Sequence, residues 1–113
     1  MPIRAVDIKS DLPTSDLAIR RVTYVLATAR AAGEPAVKLI HGYGSTGKGG
    51  RIRVELRRYL EEQRRKGKIQ AFLCGESFSI FDQATLRAFH QCPALRQDSD
   101  LERHNNGITI VIL

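Results

Sequence analysis

Val37-Lys38-Leu39-Ile40-His41-Gly42-Tyr43-Gly44-Ser45-Thr46-Gly47-Lys48-Gly49-Gly50 is the stretch on which the fold turns. Its first four residues form a short, largely apolar run bounded by turn signals, which reads as a buried strand. Positions 41 to 50 then carry five glycines, Gly42, Gly44, Gly47, Gly49 and Gly50. Glycine removes side-chain bulk and permits positive φ, so this segment predicts a loop, not a helix or a regular strand. Beyond it, Ile52, Leu56, Tyr59 and Leu60 recur at helical spacing, which predicts a helix from about Arg51 to Lys66, stopped by Gly67. Strand, glycine loop and helix in that order make a place for a ligand at a strand's carboxyl end.

Working outward, Ile3 to Ile8 reads as a first strand. Pro13-Thr14-Ser15-Asp16 opens a helix with Thr14 or Ser15 as cap,. Leu17, Ala18, Val22, Val25, Leu26 and Ala29 form its apolar stripe, and Gly33 and Pro35 end it,. Ile69 to Cys74 predicts a third strand. Asp82-Gln83-Ala84-Thr85 opens a third helix with Leu86 and Phe89 inward, and Pro93 lies just past its end. Ala94 to Asn106 is polar and reads as irregular, and Ile108-Thr109-Ile110-Val111-Ile112-Leu113 is the strongest strand signal in the chain,. The β-α-β-α-β-α-β order predicts an α/β sandwich of two or three layers. Its four-stranded sheet is mainly parallel or mixed and carries about three helices, and residues 1–113 form a single domain.

With 113 residues, 42% hydrophobic and 27% charged, the composition is that of one globular domain,. No apolar run reaches the roughly 20 residues of a membrane span, so no membrane partner is expected. Asp7 and Lys9 interrupt the opening segment, which therefore lacks the apolar stretch of a secretory signal,. Two cysteines, Cys74 and Cys92, make no disulfide framework, and a reducing cytoplasm is the expected location,. The excess charge is focused. Lys+Arg is 18 against 12 Asp+Glu. Between Lys48 and Lys68 there are nine basic residues against three acidic ones, a window of +6 that equals the net charge of the chain. A focused positive patch concentrates polyanions, and phosphate backbones are the usual ones, so the partner expected is DNA or RNA.

The glycine loop offers backbone N–H groups beside a helix N-terminus, together with Lys48, an arrangement suited to an anion. Gly42, Gly44 and Gly47 fit GxGxxG, and Gly42 to Lys48 fit GxxxxGK, yet neither nucleotide fingerprint is complete. The Ser or Thr that would hold magnesium is replaced by Gly49, and the acids about 20 residues on, Glu61 and Glu62, sit within a helix and not at a strand end,. A turn without a ligand is the plainer alternative. On the helix wheel Arg53, Arg57 and Arg64 share one flank with only Glu61 near, while Arg51, Arg58 and Arg65 share the other with Glu55 and Glu62 at pairing distance,. The first flank is the expected phosphate stripe; solvated arginines covering the core edge are the alternative.

These motifs together resemble the small MutS-related domain, Smr. His41-Gly42-Tyr43-Gly44 is similar to its HGxG motif, the closing Gly107-Ile108-Thr109 to its G-[VI]-T strand, and Asp7 stands where the family has L-D-x-H. The resemblance implies a compact α/β sandwich that binds DNA or RNA, with endonuclease or nicking activity in several members. It makes Asp7 and His41 the candidate catalytic residues, with Gly42 and Gly44 shaping the loop. Phosphate contacts then fall to Lys9, Gly42, Gly44, Lys48, Arg51, Arg53, Arg57 and Arg64. The chain departs from the family in Lys9, which replaces the motif histidine, and in a longer connection at about 75–106. Lysine holds phosphate but is a poor base near neutral pH. Two readings stay open: a nuclease in which His41 acts as acid or base, with Mg2+ or Mn2+ as the cation it would use, and a binding module without catalysis in which His41 is a packed residue. No structural metal is expected, since His90, Cys92, Cys74 and His104 lack zinc-ligand spacing,.

Overall fold

The computed structural model describes residues 3–10, 14–42 and 48–113, with Lys48 and Gly49 described by their backbone alone. Four strands, β1 (Arg4–Asp7), β2 (Ala36–Ile40), β3 (Ala71–Cys74) and β4 (Ile108–Ile112), form one sheet in the order β1-β2-β4-β3. Strands β1 and β2 are parallel, and β4 runs antiparallel to both β2 and β3. The sheet is therefore mixed, and β1, β2 and β3 all end at the same edge. The carboxyl ends of three strands deliver Asp7, His41 and Cys74 there, and β4 begins there with Ile108.

Helices α1 (Ser15–Ala31) and α2 (Lys48–Arg65) cover one face of the sheet, and α3 (Gln83–Gln91) covers the other with 3-10 turns at Gly75–Ser77 and Pro93–Gln97. Thr14 caps α1 by accepting from the Leu17 N–H, and Gly33, at φ +74°, follows its end,. Asp82 caps α3 by accepting from the Thr85 N–H. Alternation along the strands sorts the core. Val37, Leu39 and Val111 face α1 and α2, while Ala36, Ile108, Ile110 and Ile112 face α3,. Among the described residues no helix is long and apolar enough to cross a membrane.

Several expectations are corrected. Helix α2 begins at Lys48, three residues before the expected Arg51, so Gly49 and Gly50 are helical despite their poor propensity,. Leu17 and Leu86, read as inward, are 43% and 40% exposed. Ala94 to Asn106, read as irregular, opens inside the 3-10 turn Pro93–Gln97, and Lys38, inside the otherwise apolar β2, ties the segment down by donating to Asp98 and Asp100, each at 2.6 Å. All three charged side chains are largely buried. Gly75 is fixed by crowding, since a Cβ there would lie 1.9 Å from the Asn105 carbonyl oxygen. Cys74 and Cys92 are free thiols.

Candidate nucleic-acid interface

His41 continues the parity of Val37 and Leu39, so its ring enters the α1/α2 side of the sheet, where it is fully buried. Both ring nitrogens are engaged. Nδ1 lies 2.7 Å from the Gly42 carbonyl oxygen and Nε2 lies 2.9 Å from Thr109 Oγ1. A carbonyl only accepts, so Nδ1 carries the proton, and Nε2 accepts from the Thr109 hydroxyl. That hydroxyl in turn accepts from Arg57 Nε at 3.2 Å. The result is a directed chain from Arg57 through Thr109 and His41 to the Gly42 carbonyl. Burial pushes the imidazole down to about 4; the Gly42 bond opposes this, and the charges of Arg57 and Arg53 reinforce it,. At neutral pH the ring is uncharged, inaccessible and without a free lone pair.

Arg57 also makes a bidentate pair with Glu76, at 2.7 and 2.8 Å, and donates to the Ile108 carbonyl. Desolvation opposes ionisation of Glu76, but the Arg57 bonds outweigh it and hold the carboxyl below its ordinary value. Arg57 thus faces inward, and its role is to tie α2 to β4 and the turn after β3. Arg64 is paired with Glu61. It lies sixteen residues beyond Lys48, roughly 24 Å along the helix from the loop entrance. The flank read as the less compensated one is therefore paired at two of its three positions. On the other flank, Arg58 and Arg65 pair with Glu55 and Glu62. Among the described residues Arg51 and Arg53 make no ion pair. They stand within roughly 8 Å of the helix start, and Arg53 is near enough to His41 for its charge to be felt there,.

Asp7 and His41 are not hydrogen-bonded to each other. Asp7 Oδ1 accepts from the Lys9 and Ser10 amides at 2.8 and 3.1 Å, a turn that ends β1,. Its Oδ2 lies 3.6 Å from Lys9 Nζ. Slight desolvation raises its pKa, but these amides and the ammonium outweigh it and hold the carboxyl below the usual range. The Lys9 stem then crosses Gly42, where an added Cβ would sit 3.2 Å from Lys9 Cδ. Gly42 itself has φ +75° and donates its amide to the Gly107 carbonyl, as does His41. Its contribution is the path of the chain and not a free donor. Gly44 and the Lys48 side chain lie outside the described residues. No group of three His, Cys, Asp or Glu side chains is placed to hold a metal among the described residues, and Asp7 stands as a lone carboxylate. A resident cation therefore does not fit the site as described.

Thr109 is the site residue that pattern reading missed. Its motif position was visible, but its function depends on pairing with residues 68 and 52 positions away. Alternation gave the available clue, because Thr109 shares a face with Val111 and so had to meet α2.

Fold and site together define a three-layer α/β domain with a mixed sheet. A glycine turn is locked by a buried histidine at the sheet's carboxyl edge, and cations stand beside it. A family model described as Smr domain matches residues 12–77, more than half of the chain. The chain belongs to the Smr domain family, a family of nucleic-acid-binding and nuclease-like domains. The matched stretch holds His41, Gly42 and the arginine helix, while Asp7, Lys9 and Thr109 lie outside it. The Smr domain of Thermus thermophilus MutS2 is similar in fold, with a TM-score of 0.59, 22% identity and 98% of each chain covered. No curated protein matches the chain.

Proposed function

We propose that this domain binds DNA or RNA through phosphates at the carboxyl edge of its sheet, with Lys9, Arg51 and Arg53 as the contacting cations. The observation that carries this reading is the placement of these cations at one edge of the sheet: Lys9 lies across Gly42, and Arg51 and Arg53 stand near the start of α2 without acidic partners among the described residues. Each cation near a phosphate releases counterions from the nucleic acid, which favours association whatever the sequence. His41 is a positioning residue here. With its proton committed to the Gly42 carbonyl, it fixes the turn from which the glycine loop departs.

Binding without hydrolysis fits these side chains better than nuclease chemistry. A general base needs an available lone pair within reach of water, and both His41 nitrogens are committed in a buried pocket. Lys9, where the family motif has histidine, adds charge and no base. Incubating the protein with supercoiled plasmid and with structured RNA, with and without Mg2+ or Mn2+, tests this. Retarded but intact nucleic acid is expected. Cleavage of either nucleic acid by the native protein would overturn the binding-only reading.

A further inference from the structure

Among the described residues strand β1 pairs with β2 alone, which leaves its outer edge open, and α1 runs beside it. Between them lies a groove of about 420 Å³ whose floor is Val6, Ile8 and Val25 and whose far wall is Arg20, Arg21 and Tyr24. Tyr24 is 71% exposed, and Arg20 is exposed beside it. Arg21 spends one guanidinium nitrogen on the Ser10 carbonyl at 3.0 Å, which pins the wall to the turn after β1. The groove is continuous with the phosphate site. Asp7 lines its end, and the next cation along, Lys9, crosses Gly42.

We infer that this groove takes a single-stranded segment of the bound nucleic acid, with a base on the Tyr24 ring and its phosphates against Arg20 and Arg21. An open aromatic ring beside guanidinium groups, above an apolar floor, is what an unpaired base and its backbone need. A duplex keeps its bases stacked and cannot offer one. Of the three charged side chains that line the groove, Arg20 and Arg21 are cationic, and the carboxylate of Asp7 has Lys9 at 3.6 Å. That balance favours a polyanion over an extended peptide adding to the β1 edge. The inference rests on the phosphate-binding reading and adds to it the strandedness of the ligand.

The test compares one duplex, blunt or carrying an oligo(dA) tail of about ten nucleotides, by fluorescence anisotropy. The tailed duplex should bind roughly five- to hundredfold tighter. Tyr24→Ala should erase that gain and leave the blunt duplex unaffected, while Tyr24→Phe should keep it. Arg20→Gln should lower the salt slope for the tailed duplex by about 0.7. Both side chains are exposed, so neither variant disturbs the core. If the blunt duplex binds but the tail adds nothing, or Tyr24→Ala retains the gain, the groove assignment is overturned and an extended peptide becomes its better occupant. If neither duplex binds and a structured RNA fails as well, the phosphate reading itself falls, and this inference with it.

Discussion

Lowering the pH from 7.5 to 5 should remove about 2 kcal/mol of folding stability through His41 alone. In the folded protein the ring is neutral and its pKa lies at about 4, against an ordinary 6.5. As pH falls, the unfolded chain takes up this proton before the folded one does, so protons favour unfolding throughout the window between those values. The stabilisation is complete above pH 6.5 and is lost progressively as pH falls to 4. Its full size is about 3 kcal/mol, of which about 2 is gone by pH 5. Asp7, Glu76 and Asp100, held below their ordinary values, contribute in the same direction but mostly at lower pH. The measurement is urea unfolding at pH 7.5 and 5 for the native protein and for His41→Asn. Asparagine offers a donor near the position of Nδ1 but does not titrate. The variant should be less stable at both pH values because the Thr109 hydroxyl loses its acceptor, His41 Nε2, yet its pH dependence over this window should nearly vanish. Equal pH dependence in the two proteins would refute the buried, neutral histidine.

Three further substitutions probe the same framework. Thr109→Val removes one partner each from His41 and Arg57 and should cost about 1–3 kcal/mol in chemical unfolding, with Thr109→Ser recovering most of it. Lys38→Ala leaves Asp98 and Asp100 facing each other in a largely buried site and should destabilise by about 3–5 kcal/mol, measured the same way. Gly75→Ala drives a methyl group into the Asn105 backbone, so the variant should fail to give a cooperative thermal transition; a native-like melting curve would show that the 75–106 connection is free to shift.

Local signals carried much of this architecture. The caps at Thr14 and Asp82, the glycine stop at Gly33 and the apolar strands could all be read because each depends on residues a few positions apart. Strand order could not. That β4, last in the chain, inserts between β2 and β3 is decided by packing of whole faces, and nothing within Ile108–Ile112 specifies its neighbours. The arginine flank shows the same limit. A helix wheel records Glu61 and Glu62 but not Glu76, whose pairing with Arg57 depends on where the turn after β3 falls. Lys38 is the charged residue in a strand read as buried, and its partners lie 60 and 62 residues away. His41 sits between these cases. Its motif was plain, while whether it acts or packs stayed open in the sequence, because its burial beside Val37 and Leu39 and its bond to Thr109 needed the tertiary fold.

The dependence of nucleic-acid affinity on salt tests the phosphate site most directly. Measured by anisotropy on a structured duplex, the slope of log affinity against log salt should fall by about three when Lys9, Arg51 and Arg53 are all changed to Gln, since three phosphate contacts are lost. Changing Arg58, Arg64 and Arg65 together, the same charge removed from ion pairs farther along the helix, should leave the slope nearly as it was. The reverse pattern, or an unaltered slope in the first variant, would contradict phosphate binding at the sheet's carboxyl edge.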